Sequence, residues 1–361
     1  MDFLQRAVTL AKRGSGNTFP NPIVGAVLVK DDVVIGEGFH AYAGSLHAEA
    51  AALGATADAR GSTLFVTLEP CAHVGRRPPC TQAILAAGIR RVVVGAMDPD
   101  PRTAGRGVAQ LRAAGVDVDV RNDPRCERLI EDFRVWVSGD RPYVALKMAS
   151  SIDGYVAGSP ATTQRLTGAA WFRRLQHLRY SFQAVMVGAG TALVDDPLLT
   201  VRRGARHVPF ARILIGGRRR LAPTLRVFSP LPGYRRTILV VADDGAPWVR
   251  ELEGVSDIVL APGERGDVDL KGALSFMREH MAIHSILCEG GPNLAASLLG
   301  VGLVDRFFWV VAPTLLASPT SVPAVSRIDG NANRAAWKFD SVKKIGDDVL
   351  ISGSAARCLA D

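Results

Sequence analysis

Residues 47–80 read HAEAAALGATADARGSTLFVTLEPCAHVGRRPPC, and this stretch decides the fold of the first part of the chain. His47 opens a predicted Ala-rich helix, Cys71 follows a predicted strand, and Cys80 begins the next predicted helix. One histidine and two cysteines supply three ligands to a tetrahedral metal and leave the fourth position for water. An open position is typical of a catalytic site, so the stretch predicts zinc bound by His47, Cys71 and Cys80.

Glu49 lies two residues after His47 and is predicted to be a proton carrier, not a ligand. Zinc lowers the pKa of its bound water toward ~7, and a nearby carboxylate can pass a proton from that water to a leaving amine. Cys71 and Cys80 lie near predicted helix N-termini, where the helix dipole favours thiolate. The alternative is a surface histidine, a helical glutamate and two buried cysteines. The order of all four residues at strand–helix junctions favours zinc.

Strand and helix patterns alternate on both sides of this stretch, through residues 1–120. Asp2 is the predicted N-cap of the first helix, and Lys30-Asp31-Asp32 separates the two strands of a predicted hairpin. The alternation predicts a mixed sheet with helices on its faces. The predicted helices are 3–12, 47–57, 81–87 and 107–114, and the predicted strands are 23–29, 33–35, 63–68, 91–96 and 116–120.

The polar, Gly- and Pro-containing segment Ser138-Gly139-Asp140-Arg141-Pro142 interrupts the alternation and predicts a boundary between residues 1–141 and 142–361. A second α/β pattern then begins. Its predicted strands are 143–147, 184–187, 212–215, 237–241, 285–288 and 307–311, and its predicted helices are 169–179, 271–280 and 292–299.

The chain has 361 residues, of which 48% are apolar and 22% are charged, and this balance excludes a mainly disordered protein. No apolar run reaches the ~18–20 residues of a membrane helix. The N-terminus also lacks the apolar core of a secretory signal. We therefore expect a cytoplasmic protein that does not bind a membrane.

The formal net charge is +8, which is compatible with a nucleic acid or with phosphorylated small molecules as partners. Arg218-Arg219-Arg220 lacks interleaved aromatic residues and favours a solvated turn over a nucleic-acid site. The five cysteines are too sparse for a disulfide framework and favour a reducing compartment. Cys126, Cys288 and Cys358 are expected to be packing or surface residues.

These motifs resemble the cytidine-deaminase-like superfamily, in which H-x-E is followed by P-C and a further cysteine. The common spacing between the cysteines is two residues, whereas this chain has eight. Together with residues 18–25 (TFPNPIVG), 67–71 (TLEPC) and 75–80 (GRRPPC), that spacing resembles the deaminase half of the bifunctional deaminase–reductases of riboflavin biosynthesis. The resemblance implies hydrolysis of the amino group at carbon 2 of 2,5-diamino-6-(5-phosphoribosylamino)pyrimidin-4-one, with release of ammonia.

The resemblance also implies substrate-binding positions in this domain. Asn21 offers a donor and an acceptor to a pyrimidine edge, or is a turn residue between two prolines. His40, His73 and Arg76 match positions that bind the ribose phosphate, and the alternative for them is solvated loop residues.

Three segments of the second domain carry further motifs, at residues 143–154, 195–202 and 288–294. The last one, Cys288-Glu289-Gly290-Gly291-Pro292-Asn293-Leu294, predicts a strand, a glycine turn and a helix that begins with proline. Such a junction presents backbone N–H groups and the positive helix end to a phosphate. Each motif alone is weak, and a glycine pair is often only a tight turn.

Together, the three segments resemble the reductase half of the same family. The resemblance implies a dihydrofolate-reductase-like α/β domain, placed after the deaminase-like αβα domain, which uses NADPH to reduce the ring-opened ribose at carbon 1′ to a ribityl chain. Positions matching substrate contacts are Thr163, Arg179, Leu199, Arg202 and Glu289, with Arg179 and Arg202 suited to clamp the substrate phosphate. Positions matching NADPH contacts are Ala149, Arg165, Thr191, Asp195, Gly291, Pro292, Asn293, Leu294, Ala295, Ala296 and Ser297.

Two stretches depart from the family pattern near the expected cofactor site. Arg165 replaces a usual tryptophan, and Gly216-Gly217 replaces a usual Asp-Ser pair, which leaves cofactor affinity and preference open. Lys147 and Asp153 either hydrogen-bond the substrate or stabilise the turn between them.

Other functions remain as alternatives. The second domain can be a dimer platform that has lost reduction, the chain can be a nucleic-acid deaminase, or the zinc site can be non-enzymatic. The leading interpretation is a bifunctional enzyme that binds one zinc per chain, NADPH and a phosphorylated pyrimidine, but no nucleic acid. The resemblance suggests a homo-oligomer, either a dimer or a tetramer.

Overall fold

The computed structural model describes residues 2–73, 78–160, 165–202, 207, 209–264, 266–326 and 337–355. It divides into two compact units, Met1–Gly139 and Asp140–Asp361. The division lies two residues before the predicted boundary. Each unit has its own sheet and its own apolar core, and each is described separately below.

The first unit contains a five-stranded mixed sheet with the order β2-β1-β3-β4-β5. The strand β1 is antiparallel to β2 and β3, whereas β3, β4 and β5 are parallel. Asp31 and Asp32 both have positive φ, as a two-residue hairpin turn requires, so the predicted hairpin is confirmed. The strands are β1 (Gly25–Lys30), β2 (Val33–Phe39), β3 (Thr63–Val66), β4 (Arg91–Val94) and β5 (Asp117–Val120).

Helices cover both faces of this sheet, which confirms the expected αβα domain. On one face, α1 packs through Leu4 and Val8, and its N-cap Asp2 accepts a hydrogen bond from the Gln5 amide, as predicted. The opposite face buries alanine, valine and leucine side chains beneath three helices. The helices are α1 (Phe3–Ala11), α2 (Ala48–Leu53), α3 (Cys80–Ala86), α4 (Arg106–Ala113), α5 (Pro124–Glu127) and α6 (Glu131–Ser138).

The sequence did not predict α5 and α6. The helix α5 has four residues, too few for a helical period to show. In α6 no residue is fully buried, so its apolar stripe is weak. Cys126 in α5 is buried in the core, as expected for a packing residue.

The second unit contains a nine-stranded sheet with the order β11-β10-β9-β8-β12-β6-β13-β16-β15. Neighbouring strands are parallel from β11 to β13, and β16 and β15 extend the sheet in antiparallel fashion. A short antiparallel pair, β7 and β14, lies apart from it. The strands are β6 (Tyr143–Ser150), β7 (Tyr155–Ala157), β8 (Ala184–Gly188), β9 (Ala211–Gly217), β10 (Thr237–Val241), β11 (Ser256–Leu260), β12 (Ser285–Cys288), β13 (Arg306–Val311), β14 (Val322–Pro323), β15 (Trp337–Ile345) and β16 (Asp348–Ala355).

The helices of the second unit lie on both faces of this sheet. Leu274 of α10 and Leu298 of α11 pack on one face, and Ala192 of α8 and Val249 of α9 pack on the other. This arrangement confirms the expected α/β class. The helices are α7 (Ala169–Tyr180), α8 (Ala189–Asp195), α9 (Pro247–Arg250), α10 (Leu270–Met281) and α11 (Pro292–Gly300).

The carboxyl ends of the parallel strands meet at one edge of this sheet. There β8 runs into α8 at Gly188, β9 ends at Gly217, and β12 leads through a glycine turn into α11. Ligands of open α/β sheets bind at this edge, so the topology fixes where the second site lies. In the described part of the chain, no helix is both long and apolar enough to cross a bilayer.

Candidate active sites

The first unit brings together the three predicted zinc ligands. The ligand atoms of His47, Cys71 and Cys80 all lie within 4.8 Å of one another. His47 Nδ1 is 3.3 Å from Cys80 Sγ and 3.7 Å from Cys71 Sγ. Zinc bond lengths of about 2.3 Å to sulfur and about 2.0 Å to nitrogen give a tetrahedral edge of roughly 3.6 Å. The donor set and its spacing therefore fit a zinc ion.

Local structure explains this convergence. His47 is the N-cap of α2, and Cys80 is the first residue of α3. Cys71 follows β3, and its sulfur accepts a hydrogen bond from the Cys80 amide at 3.4 Å. Hydrogen bonds from the Cys80 thiol, His47 and that amide lower the pKa of Cys71. The amide at the start of α3 is one of the donors that favour a thiolate at Cys71, whereas the hydrogen bond with Cys71 and burial raise the pKa of the Cys80 thiol, so the predicted thiolate is found for Cys71 and not for Cys80.

Glu49 lies in the first turn of α2, with only 4% of its surface exposed. It hydrogen-bonds with Cys80 and is not part of the ligand cluster. Burial raises the pKa of the Glu49 carboxyl to about 7. A buried carboxyl beside the ligands is well placed to accept and to donate a proton.

Asn21 and His40 lie together beside the zinc ligands. Asn21 Nδ2 is 3.2 Å from His40 Nε2, and His40 Nδ1 is 3.1 Å from the Leu46 carbonyl oxygen. The ring therefore donates through Nδ1 to Leu46 and accepts from Asn21 through Nε2. The ring centroid of His40 is 5.7 Å from that of His47.

The position of His40 gives no direct support to the predicted phosphate contact, which stays a prediction. Its side chain is buried, and burial lowers the pKa of the imidazole. A neutral, buried ring is a poor phosphate ligand, and its hydrogen bonds instead orient Asn21. His73 is exposed, with Nδ1 3.2 Å from Thr103 Oγ1, where a phosphate can reach it. Arg76 lies outside the described residues.

Glu69 holds a loop near the zinc ligands, a role that was not predicted from the sequence. It is buried, and its carboxylate accepts hydrogen bonds from the backbone amides of Asp98, Gly105 and Val108 at 3.0–3.3 Å. These bonds tie the loop that carries Thr103 to the strand end before Cys71. Glu69 belongs to the TLEPC motif, which was the signal available in the sequence. Its hydrogen bonds to amides far away in the chain leave no pattern in a sequence.

The second unit has a cavity of about 980 Å³ at the carboxyl ends of β6, β8, β9 and β12. This volume is at the upper end of the range for cofactor sites, about 300–1,000 Å³. The predicted NADPH positions that line it are Ala149, Arg165, Thr191, Asp195, Gly291, Pro292, Asn293, Leu294 and Ser297.

Two members of the predicted cofactor run lie elsewhere. Ala295 is fully buried in the apolar core, so its side chain is not available to a ligand. Ala296 lines a second cavity of about 860 Å³, which shares Asn293 and Ser297 with the first. Alternate faces of α11 point to the core and to solvent, which accounts for both positions.

The glycine turn before α11 forms a cradle for a phosphate group. Gly290 and Gly291 have φ values of 85° and 93°. A Cβ atom on Gly291 would lie 2.9 Å from Thr191 Oγ1, so only glycine keeps this space open. Gly291 is the N-cap of α11 and Pro292 its first residue, as predicted. Backbone N–H groups at this helix end suit a pyrophosphate, and the site fits a dinucleotide cofactor.

Arg179 and Glu289 form an ion pair beneath this cavity. Arg179 donates to both carboxylate oxygens of Glu289 and, at 2.9 Å, to the Thr200 carbonyl oxygen. Both side chains are nearly buried, 13% and 8% exposed. Burial alone would raise the pKa of Glu289, but the Arg179 charge more than offsets it, and the pKa is lowered.

The guanidinium group of Arg179 is already held by Glu289 and Thr200, and its predicted role as a phosphate clamp stays a prediction. Arg202 is exposed, and its predicted role as a phosphate ligand stays a prediction. Leu199 packs in the core and is not among the residues lining the cavity. Thr163 lies outside the described residues, as does Cys358, whereas Cys288 is buried as expected.

The structure separates the two alternatives for Lys147 and Asp153. The Asp153 carboxylate accepts hydrogen bonds from the Leu316 and Ala317 amides and so stabilises the loop. Lys147 lines the cavity, and burial lowers its pKa.

The two departures from the family pattern also lie at the cavity. The Arg165 guanidinium is 4.9 Å from the Phe172 ring centroid, and Gly216 and Gly217 form part of the wall.

Comparison with known proteins gives consistent matches in both units. Residues 1–96 match the cytidine and deoxycytidylate deaminase zinc-binding region, and residues 142–351 match the RibD C-terminal domain. The riboflavin biosynthesis protein RibD of Synechocystis is 45% identical over 356 residues, covering 97% of this chain and 95% of its own. The Escherichia coli protein of that name is 36% identical over 371 residues, covering 97% of each chain.

Solved structures show the same similarity across both units. One is a diaminohydroxyphosphoribosylaminopyrimidine deaminase/5-amino-6-(5-phosphoribosylamino)uracil reductase from Thermotoga maritima. It is 32% identical with a TM-score of 0.84, and 98% of each chain is covered. A RibD structure from Acinetobacter baumannii is 34% identical with a TM-score of 0.80 and the same coverage.

Proposed function

This chain belongs to the RibD family of bifunctional riboflavin-biosynthesis deaminase–reductases, and we propose how its two sites divide the two reactions. Residues 1–141 deaminate 2,5-diamino-6-(5-phosphoribosylamino)pyrimidin-4-one to 5-amino-6-(5-phosphoribosylamino)uracil. Residues 142–361 then reduce the ribosyl group of that product to ribityl phosphate with NADPH.

In the deaminase site, His47, Cys71 and Cys80 hold zinc, which supplies an activated water nucleophile at neutral pH when bound. Glu49 accepts the proton of the attacking water and delivers a proton to the amino group that leaves as ammonia. Asn21, oriented by His40, hydrogen-bonds the pyrimidine edge. His73 and Arg76 bind the ribose phosphate.

In the reductase site, the wall of the cavity and the glycine turn before α11 hold NADPH, which supplies the hydride when bound. Glu289, held in place by Arg179, faces the cavity and positions the ring-opened ribose. Lys147 lies beside Glu289 and reaches the same space. Arg202 binds the substrate phosphate, and Thr163 contacts the substrate. Positioning is the main task here, because the cofactor carries the hydride chemistry.

The observation that carries this proposal is the presence of both sites in one chain: the ligand cluster with buried Glu49, and the cavity with its glycine cradle. Relatives that match the whole chain support two active halves and do not support the alternative of an inactive second domain. We further propose a cytoplasmic homo-oligomer. Light scattering of the purified protein checks the oligomeric state, and fractionation of cells checks the location.

One anaerobic incubation tests the proposed reactions. Enzyme and the diaminopyrimidine substrate should release ammonia without NADPH, and NADPH should then be oxidised in proportion to the deaminated product. Enzyme supplied directly with the deaminated product should oxidise NADPH without releasing ammonia. Unchanged NADPH absorbance in that arm would remove the reductase assignment, and absence of ammonia in the first would remove the deaminase assignment.

A further inference from the structure

Residues 199–202 follow α8 and have a strained backbone. Leu199 has a φ of 51°, in the left-handed region that residues other than glycine rarely adopt, and its side chain is buried in the core. Such a conformation persists only where the surrounding structure holds it in place. The contacts that hold this segment therefore also decide where its last residue, the exposed Arg202, is directed.

One face of α7 holds the segment from one side. Phe172, Gln176 and Arg179 are four and three residues apart, so they lie on the same face of the helix. Gln176 Oε1 accepts a hydrogen bond from the Arg202 amide at 2.8 Å, and Arg179 Nη1 donates to the Thr200 carbonyl oxygen at 2.9 Å. The guanidinium carbon of Arg202 is 5.9 Å from the centroid of the Phe172 ring. Both the backbone and the charged group of Arg202 thus contact α7.

Tyr234 holds the same segment through both backbone polar groups of one residue. Its hydroxyl accepts a hydrogen bond from the Val201 amide at 2.8 Å and donates to the Val201 carbonyl oxygen at 3.3 Å. A phenolic hydroxyl can donate and accept at the same time. Tyr234 and Gln176 together therefore fix three backbone groups of two consecutive residues, Val201 and Arg202.

The side chain of Tyr234 is itself fixed by its neighbours. The Phe210 amide donates to the Gly233 carbonyl oxygen at 3.2 Å, and the Arg235 amide donates to the Phe210 carbonyl oxygen at 3.0 Å. The rings of Phe210 and Tyr234 pack edge to face, with centroids 5.6 Å apart, and the guanidinium carbon of the buried Arg212 is 5.7 Å from the Tyr234 ring. These contacts hold the ring, so they persist when only the hydroxyl is removed.

The segment held in this way borders the reductase cavity. Arg165 lines the cavity, and its guanidinium carbon is 4.9 Å from the centroid of the same Phe172 ring that Arg202 contacts. Glu289 also lines the cavity, and it pairs with Arg179. Arg202 therefore lies on the side of the cavity where Arg165 and Glu289 are found.

We propose that Tyr234 and Gln176 are positioning residues of the reductase, which fix the backbone of residues 201 and 202 so that the Arg202 guanidinium is directed at the substrate phosphate. The inference rests on the proposed function, in which Arg202 binds that phosphate. A long side chain on a free segment loses conformational freedom when it binds, and this loss lowers affinity. On a segment that is already fixed, the loss is smaller and the phosphate is bound more tightly.

Tyr234→Phe tests the role, because it removes the hydroxyl and keeps the ring. With the full chain and the deaminated product as substrate, kcat/KM for NADPH oxidation should fall about tenfold, mainly through a higher KM. NADPH affinity, measured by fluorescence titration, should stay within about twofold. Gln176→Met, which removes the acceptor on α7, should have the same effect.

Tyr155→Phe is the matched control for the loss of a tyrosine hydroxyl. Tyr155 lies in β7, and its hydroxyl is not among the groups that hold residues 200–202 in the described part of the chain. This variant should reduce the deaminated product with the kcat and KM of wild type.

A double-variant cycle distinguishes positioning from a general loss of stability. Arg202→Ala should lower kcat/KM about 10–100-fold. Arg202→Ala combined with Tyr234→Phe should be no worse than Arg202→Ala alone, because Tyr234 acts through Arg202. With the same compound lacking its phosphate, wild type and Tyr234→Phe should have kcat/KM values within about twofold of each other.

The outcomes separate this inference from the function on which it rests. If the Tyr234 and Gln176 variants have wild-type kinetics, if Arg202→Ala does, or if the effects multiply in the double variant, the inference is wrong and the reductase assignment stands. If wild type oxidises no NADPH with the deaminated product, both are wrong. Melting curves check that the variants fold, and if Tyr234→Phe does not, Gln176→Met and its double variant with Arg202→Ala decide in its place.

Discussion

At the scale of single residues, Glu49 is distinguished from the ligands beside it by what it contacts. His47 and the two cysteines converge on one point, whereas Glu49 is buried against Cys80 and stays outside that cluster. The sequence could place Glu49 next to a ligand because H-x-E on one short helix is a local pattern, and its role as proton carrier stays a prediction. It could not show that the carboxyl group is nearly excluded from water, since the covering residues come from other elements.

We predict that Glu49→Gln reduces deamination by about 10²–10⁴-fold and leaves zinc bound, because glutamine keeps the shape but cannot carry a proton. Ammonia release and metal content per chain are the measurements. Glu37→Gln is the matched control: its carboxylate pairs with Arg6 at the surface, where an ion pair contributes about 0–1 kcal/mol. Residual deamination near the wild-type rate in Glu49→Gln would rule out the assigned role.

The ion pair of Arg179 and Glu289 leads to a prediction about stability and pH. Arg179→Met leaves a nearly buried carboxylate without its partner, which should cost about 3–5 kcal/mol of the free energy of unfolding at pH 7. In wild type the pKa of Glu289 is lowered. The ion pair therefore stabilises the fold fully above the usual pKa of a glutamate, and this stabilisation is lost as the pH falls through the lowered pKa of Glu289. Without Arg179, burial raises the pKa of Glu289. The fold of the variant then loses stability as the pH rises through that raised pKa, because a buried carboxylate forms without a partner.

The deficit of Arg179→Met relative to wild type should therefore shrink as the pH is lowered from 7 toward about 4.5. Urea denaturation at several pH values measures it. The double variant Arg179→Met with Glu289→Met should recover most of the stability at pH 7, because no buried charge remains. A deficit that is constant across this pH range would contradict the account.

At the scale of elements, many of the strands that the sequence predicted are buried and β-branched, such as β10, whose five residues are all buried. The missed strand β15 carries Lys338, Lys343 and Lys344, and most of its side chains are exposed, so its pattern resembles a loop. A local pattern of apolar residues indicates a strand through its buried side chains, and an edge strand has few buried side chains. The junction of β12 and α11 was predictable because a glycine pair followed by Pro292 is a local signal.

We predict that Gly291→Ala weakens NADPH binding at least tenfold and lowers the free energy of unfolding by about 1–3 kcal/mol, because the backbone conformation favours glycine and the new methyl group meets Thr191. Gly302→Ala is the control, since Gly302 also has positive φ but lies after α11 and is not among the residues lining the cavity. It should lose similar stability and keep NADPH affinity, measured by fluorescence titration. Equal affinities in both variants would show that the turn does not hold the cofactor.

At the scale of the whole molecule, several arginines are used for internal ion pairs, although the chain carries a net charge of +8. Arg179 is balanced by Glu289, Arg306 by Asp340 and Arg141 by Asp305, all within the second unit. These partners are more than 30 residues apart in sequence, and no spacing rule predicts them. Part of the basic content is therefore structural, and among the described residues exposed arginines such as Arg202 are available to a phosphate.

Removal of zinc should separate the two activities of the chain. Among the described residues, the ligand cluster belongs entirely to the first unit, and the reductase cavity is lined entirely by the second. We therefore predict that a chelator abolishes ammonia release, while NADPH oxidation with the deaminated product stays within about twofold of the untreated rate. Cys71→Ser should reproduce this separation, and Cys126→Ser, which changes a buried cysteine outside the cluster, should keep its zinc.

The first unit should also unfold at a lower temperature without metal, because metal bound only by the folded state stabilises it, and restored zinc should reverse the change. A parallel loss of NADPH oxidation as zinc is removed would mean that the reductase fold depends on the metal, which the separate cores and separate sheets of the two units argue against.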